Sequence, residues 1–172
     1  MNTTAIFGLS AAMSLITGIV LASLYILPRL QNTHRDDALT ALIIPHAFRF
    51  IGLSFLVPGV VSPSLQASFA TPAAYGDLGA AILALIAVFA LRSKSSLAIP
   101  LVWLFNIWGF ADLAHAVYEG AIGVGISPGM LGAAFFIPTV LVPLLFVTHV
   151  LIFRLLLRSN QPVQSGATLF SS

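Results

Sequence analysis

The sequence predicts an all-α protein, a polytopic membrane bundle of five transmembrane helices. Of its 172 residues, 59% are apolar and 7% are charged, whereas soluble domains carry roughly 25% charged residues. Five apolar stretches are each long enough, at about 1.5 Å per residue, to cross a hydrocarbon core of roughly 30 Å. These stretches lack the alternation of apolar and polar residues that a β-barrel strand requires. We therefore expect a single transmembrane domain over residues 1–158, followed by a flexible cytoplasmic tail over residues 159–172.

The ends of the first three spans are marked by charged residues, prolines and polar loops. The first span stops at Pro28 and Arg29, and the second is followed by a loop over residues 62–72 that is rich in serine and proline. The third span stops at Arg92 and Lys94. Charged groups are costly inside a membrane helix and are therefore typical of its ends. The predicted ranges of these spans are 4–27, 38–61 and 73–91.

The fourth and fifth spans are separated by a glycine-rich stretch. The fourth contains both tryptophans, Trp103 and Trp108, and precedes a turn over residues 119–128. The fifth begins near Gly129 and ends before Arg158. The predicted ranges are 96–118 and 129–157.

The basic residues predict how the bundle is oriented. All of them except Arg49 fall in the first and third interhelical loops or at the end of the fifth span, whereas residues 62–72 and 119–128 contain no lysine or arginine. Cytoplasmic loops carry the excess of basic residues in membrane proteins. We therefore expect an extracellular N-terminus, a cytoplasmic C-terminus and a location in a bacterial cytoplasmic (inner) membrane. The basic residues on the predicted cytoplasmic side are Arg29, Arg35, Arg92, Lys94, Arg154 and Arg158.

Arg49 lies in the middle of the second span, where a cation is expensive. A charged side chain at the bilayer centre costs about 2.5–3.5 kcal/mol on insertion scales, so Arg49 must face protein or water and have a partner. The helical rise places Arg49 about 16 Å and Asn106 about 15 Å from the cytoplasmic side, with Asp77 and Asp112 at about 24 Å. We expect Arg49 to reach Asn106 at its own level and to point outward to Asp77 or Asp112.

The fourth span carries a polar stripe on one face. Trp108, Asp112, His115 and Glu119 follow the spacing i, i+4, i+7, i+11, which aligns them along one side of an α-helix. Carboxylates and a histidine near an outward opening suit protons or a cation, and an arginine beneath them suits an anionic group. The alternative is a structural ion pair that holds the helices together. Ionisable groups inside spans are nevertheless functional candidates.

Two functions are compatible with this pattern. The first is the binding or transport, without catalysis, of a small polar or anionic ligand or of protons in an outward-facing polar pocket. The second is an intramembrane enzyme that acts on a lipid or a quinone, with Asp112 or His115 as the acid–base group. The residues predicted to handle the ligand or protons are Arg49, Asp77, Asn106, Asp112 and His115.

Two histidines suggest a third function. His46 and His149 each lie eight residues from the inner end of their spans, about 12 Å deep. Two imidazoles at one level can bind the iron of haem b, which would make the chain an electron-transfer subunit with Arg35 or Arg154 near the propionates. The simpler interpretation is that each histidine bonds a free backbone carbonyl.

The remaining composition excludes several classes. The chain has no cysteine and no zinc-type spacing of histidines, so no metal site apart from the haem is expected. Seven basic and five acidic residues are too few for a nucleic-acid interface. Membrane lipids are the expected surroundings, and a homo-oligomer or a place in a larger membrane complex stays open.

Overall fold

The computed structural model describes residues 2–158, and its regular secondary structure there is helical throughout, without a β-strand. Five helices are long and apolar enough to cross a membrane, which confirms the predicted all-α class and the predicted number of long apolar helices. The predicted tail over residues 159–172 lies outside the described residues. The helices are α1 (Thr3–Gln31), α2 (Arg35–Leu56), α3 (Ala67–Arg92), α4 (Ala98–Gly123) and α5 (Ile137–Leu157).

Two helices begin earlier than hydropathy predicts. The helix α2 starts at Arg35, because His34 caps it and the first turn contains Asp36 and Asp37, whose charges interact favourably with a helix N-terminus. The helix α3 starts at Ala67 and includes Pro72. The polar first turn of α2 extends that helix beyond its apolar segment, so hydropathy alone misses it.

The predicted fifth span is divided in two. A short 3-10 helix, Pro128–Phe135, precedes α5, and the break lies at Gly132, which has a φ of 52° and a ψ of −130°. Only glycine adopts such a conformation readily. The next residue, Ala133, donates its N–H to the carbonyl of Val60 at 2.9 Å, so the short helix is tied to the loop that follows α2.

Most of α2 is a 3-10 helix. Residues Arg35–Ile43 are α-helical, but the following thirteen residues, Ile44–Leu56, are in the 3-10 conformation, which rarely extends beyond three or four residues. Three residues per turn align positions i, i+3, i+6 and i+9. In an α-helix, three residues turn the chain by about 300°, which is about 60° short of a full turn. After three such steps the shortfall is about 180°, so the last position would face away from the first. The 3-10 twist therefore creates one straight buried column, which consists of His46, Arg49, Gly52 and Phe55.

The helix α3 lies at the centre of the bundle and packs mainly against α2 and α4. Its buried stripe follows a 4-3-4-3 spacing and is otherwise made of alanine. Small side chains let membrane helices approach closely, so the one polar member of the stripe, Asp77, is held next to both neighbouring helices. The stripe consists of Ala73, Asp77, Ala80, Ala84 and Ala87.

The basic residues of different helices meet at one end of the bundle. Arg35 Nη2 donates to the carbonyl of Leu156 at 3.1 Å, and Arg92 Nη1 lies 3.0 Å from Asp37 Oδ1. These contacts join the start of α2 to the ends of α3 and α5. We call this end the basic end, and the opposite end, where α1 begins, the N-terminal end.

Candidate functional site

Arg49 lies at the centre of an ion cluster that joins three helices. Its Nε donates to Asp77 Oδ1 at 2.7 Å, and its Nη2 donates to Asp112 Oδ2 at 2.5 Å. Its Nη1 donates to the carbonyl of Gly109 at 3.0 Å. The Arg49 side chain is 0% exposed, whereas those of Asp77 and Asp112 are 11% and 17% exposed. Each guanidinium nitrogen therefore has an acceptor inside the protein, and Arg49, Asp77 and Asp112 are called the ion cluster below.

The 3-10 conformation of α2 explains why Arg49 pairs with the aspartates. A 3-10 helix rises about 2.0 Å per residue and an α-helix about 1.5 Å, so the six residues 44–49 gain roughly 3 Å. This rise moves the guanidinium from the predicted level of Asn106 towards the level of Asp77 and Asp112. The prediction that Arg49 points to these two aspartates is confirmed.

Three glycines provide the space that the ion cluster occupies. A Cβ on Gly52 would collide with the carboxylate of Asp77, and a Cβ on Gly76 would collide with that of Asp112. A Cβ on Gly109 would lie 2.9 Å from Arg49 Nη1. These glycines are not among the site residues predicted from the sequence, although each lies within three residues of a member of the cluster. That proximity along the chain is the signal that could have identified them.

The ion cluster has a surplus of negative charge. One guanidinium faces two carboxylates, so the formal charges sum to one negative unit when all three groups are ionised. Charges interact strongly where water is excluded. The cluster therefore favours the approach of a cationic group and opposes that of an anion.

Asn106 belongs to a separate network. Its Nδ2 donates to the carbonyl of His149 at 3.2 Å, and its Oδ1 lies 2.7 Å from His149 Nδ1. Asn106 thus uses both ends of its amide on His149, and the predicted contact between Arg49 and Asn106 is wrong. The network fastens α4 to α5.

The two predicted haem ligands are neighbours, but they lie too close together. The ring centroids of His46 and His149 are 4.2 Å apart, and His46 Nε2 lies 2.9 Å from Thr148 Oγ1. Imidazoles that bind one iron from opposite faces of a macrocycle are roughly 6 Å apart between centroids, since each metal–nitrogen bond is about 2 Å. A haem does not fit between these rings, so the prediction of haem b ligated by His46 and His149 is wrong.

Replacing Asn106 by leucine should destabilise the bundle by about 1–3 kcal/mol, because the buried His149 Nδ1–H loses its acceptor. Chemical unfolding of the protein in lipid nanodiscs, followed by circular dichroism, measures the loss. The double variant Asn106→Leu/His149→Phe is the control and should recover part of the stability, because both polar partners are then gone. An unchanged stability in Asn106→Leu would contradict a structural role for this network.

A cavity of about 760 Å³ lies towards the N-terminal end of the bundle. Its walls come from all five helices, from the short 3-10 helix and from the turn that precedes it. Among the described residues that line it, Asp77 is the only one with an ionisable side chain. Asp77 therefore connects the ion cluster to the cavity. The aromatic and large aliphatic residues of the lining include Phe7, Phe55, Phe69, Leu113, Leu131 and Phe146.

The structure thus separates the residues that the sequence groups into one pocket. Asp77 lines the cavity, Arg49 and Asp112 lie behind it in the ion cluster, and Asn106 is bonded to His149. His115 is exposed on the surface of α4. The space beside the ion cluster is mostly apolar, where the sequence favours a polar pocket.

Comparisons with curated proteins and with solved structures find no match. One family model matches residues 6–157, which include all five helices almost completely. The chain therefore belongs to the family that this model defines, described as a domain of unknown function, DUF8737.

Proposed function

We propose that the protein is an integral membrane binding protein whose ligand is an apolar molecule with one cationic group. The observation that carries this proposal is the single carboxylate, Asp77, in the lining of a mostly apolar cavity. The cavity volume of about 760 Å³ falls within the range of roughly 300–1,000 Å³ that is usual for small-molecule sites. The ligand's apolar body would contact the aromatic lining, and its cation would contact Asp77.

The surroundings of Asp77 favour a cation over an anion. Arg49 Nε bonds Asp77 through Oδ1, so Oδ2 is the carboxylate oxygen that remains for a further donor. Charge-assisted hydrogen bonds of this kind are stronger than neutral ones. Arg49 itself is buried behind Asp77 and already donates to three acceptors. The small polar or anionic ligand that the sequence favours would therefore meet the carboxylate before the guanidinium.

The proposed membrane orientation rests on the basic end. We propose that the basic end faces the cytoplasm of a bacterial cell and that the cavity lies in the outer half of the inner membrane. The positive-inside rule supports this orientation, with the N-terminus outside and the C-terminus inside. Membrane lipids would then surround the five helices.

Catalysis on a lipid or quinone is supported less well than binding. An apolar cavity suits such a substrate, but the predicted acid–base residues Asp112 and His115 are not in its lining. Asp77 is in the lining but already accepts a hydrogen bond from Arg49. These contacts suit a carboxylate that holds a cation better than one that exchanges protons with a substrate.

Three probes with the same chain length test the proposed ligand. Decylamine, decanol and decanoate carry a positive, a neutral and a negative end on one apolar body. Decylamine should bind the protein in nanodiscs most tightly, as measured by the shift in thermal unfolding temperature. Asp77→Asn should weaken decylamine binding about tenfold or more, because a hydrogen bond to a charged group contributes about 1.5–3 kcal/mol.

The matched control is Asp37→Asn, the same substitution at an exposed carboxylate of the basic end. This variant should keep the wild-type preference for the amine. Decanol binding should be unchanged in Asp77→Asn, which shows that the cavity is intact. Equal shifts from all three probes, or a preference for decanoate, would contradict the proposal.

A further inference from the structure

The helix α1 is the most loosely packed of the five. Its buried residues are Gly18 and Ala22, and a Cβ on Gly18 would lie 2.8 Å from Leu144 Cδ2. This contact is with α5, and the main packing of α1 is with α5 and the short 3-10 helix. The packing of α1 against α3 and α4 is much sparser. One long side of α1 is therefore separated from the central helices.

That separation coincides with the cavity. Residues of α1 line the cavity from one side, and residues of α3 and α4 line it from the other. The lining residues that are also exposed are Ala12 and Leu15 of α1, Val117 and Ala121 of α4, and, towards the N-terminal end, Thr4, Gly125 and Ser127. Residues that both line a cavity and reach the surface mark its mouth. The mouth therefore runs between α1 and α4 and continues to the turn at the N-terminal end.

The stretch of the mouth formed by Ala12, Leu15, Val117 and Ala121 is apolar. Its four marked residues are two alanines, a leucine and a valine, and they lie on helices that are long and apolar enough to cross a membrane. Apolar helices of this length border acyl chains over most of a membrane crossing, so this stretch of the mouth would face lipid. A molecule that enters here must already be dissolved in the bilayer.

We infer that the cavity opens sideways between α1 and α4 and takes its ligand from the lipid phase, which makes the ligand a membrane-dissolved cationic amphiphile. This inference rests on the proposed binding function. The carboxylate of Asp77 lies inside the cavity, where it attracts the cationic end while the apolar body stays in contact with the aromatic lining. The lipid-facing mouth adds to the proposed function the route by which the ligand enters the cavity and the phase in which the ligand is dissolved.

Collision measurements on a spin label test the mouth without any ligand. The chain has no cysteine, so Ala116→Cys, at a half-buried position of the lining, takes a single nitroxide. Oxygen dissolves in lipid, and nickel ethylenediaminediacetate dissolves in water. Met13→Cys on the exposed surface of α1 and Ser64→Cys in an exposed loop supply the lipid and water reference values. The label at position 116 should collide with oxygen nearly as often as the label at position 13, and rarely with the nickel complex.

Narrowing the mouth should change this result. Ala12→Trp should lower oxygen collisions at position 116 several-fold, whereas Met13→Trp, next to it but outside the lining, should not. If Ala12→Trp does not fold, Leu15→Trp replaces it. High nickel collisions at position 116 would show a water-filled entrance, and low values for both reagents would show a closed cavity. Either result would contradict a lateral mouth, as would an unchanged oxygen collision rate in both Trp variants. Decylamine binding tests the proposed function separately.

Discussion

Replacing Arg49 by leucine should destabilise the protein by about 3–5 kcal/mol, the cost of removing one partner from a buried ion pair. The loss leaves Asp77 and Asp112 facing each other without a counter-charge, and it removes the donor to the carbonyl of Gly109. Unfolding in nanodiscs by a chemical denaturant, followed by circular dichroism, measures the change. We expect this to be the most damaging substitution of a single charged residue in the bundle.

The exposed ion pair between Arg92 and Asp37 is the matched control. Its side chains are 66% and 57% exposed, so Arg92→Leu should cost no more than about 1 kcal/mol. The triple variant Arg49→Leu/Asp77→Asn/Asp112→Asn should recover much of the stability lost in Arg49→Leu, because no uncompensated carboxylate remains. If Arg49→Leu and Arg92→Leu cost the same, the ion cluster does not hold the three helices together.

Replacing Gly76 by alanine should have the second largest effect. The new Cβ would collide with the carboxylate of Asp112, which is itself held by Arg49. Inserting a methyl group into a tightly packed site typically costs 1–3 kcal/mol, so we expect a loss of about 2 kcal/mol. The same unfolding measurement detects it.

Gly79→Ala, on the same helix, separates this collision from the general effect of alanine. The nearest atom to its new Cβ would be Trp108 Nε1 at 3.5 Å, an ordinary contact. Alanine favours a helix over glycine by about 0.5–1 kcal/mol, so Gly79→Ala should keep or raise stability. In an Asp112→Ala background, Gly76→Ala should cost less than in the wild type. Equal effects of Gly76→Ala and Gly79→Ala would show that Asp112 moves aside freely.

Hydropathy and the positions of charged residues predict much of this protein. The five helices follow from apolar length, because a bilayer requires a fixed number of apolar residues for each crossing. Arg49 is identified as a buried cation for the same reason, and Asp77 and Asp112 are predicted correctly among its three candidate partners. The choice between these aspartates and Asn106 is not predictable from depth, because the depth estimate assumes an α-helical rise throughout α2.

The apolar cavity and the histidine network are decided by helix packing. The sequence places His46 and His149 at one depth but does not show that their rings approach to 4.2 Å, a distance that excludes the predicted haem. It likewise groups His115 with Asp112 on one face of α4, although His115 remains exposed. Neighbouring helices and their rotations determine these outcomes, and both depend on contacts between residues far apart in the chain.

The local composition of the chain therefore determines how many helices there are, which end is basic and which charged residues are buried. The tertiary structure decides the twist of α2 and the partners of Arg49. The physical reason is that the number of crossings depends on transfer free energies summed along short segments of the chain. The partners of Arg49 depend instead on how the buried 3-10 column of α2 faces the other helices; this column consists of His46, Arg49, Gly52 and Phe55. The alanines and Gly76 of α3 let α2 and α4 approach α3 closely. One guanidinium on α2 can therefore bond a carboxylate on α3 and another on α4.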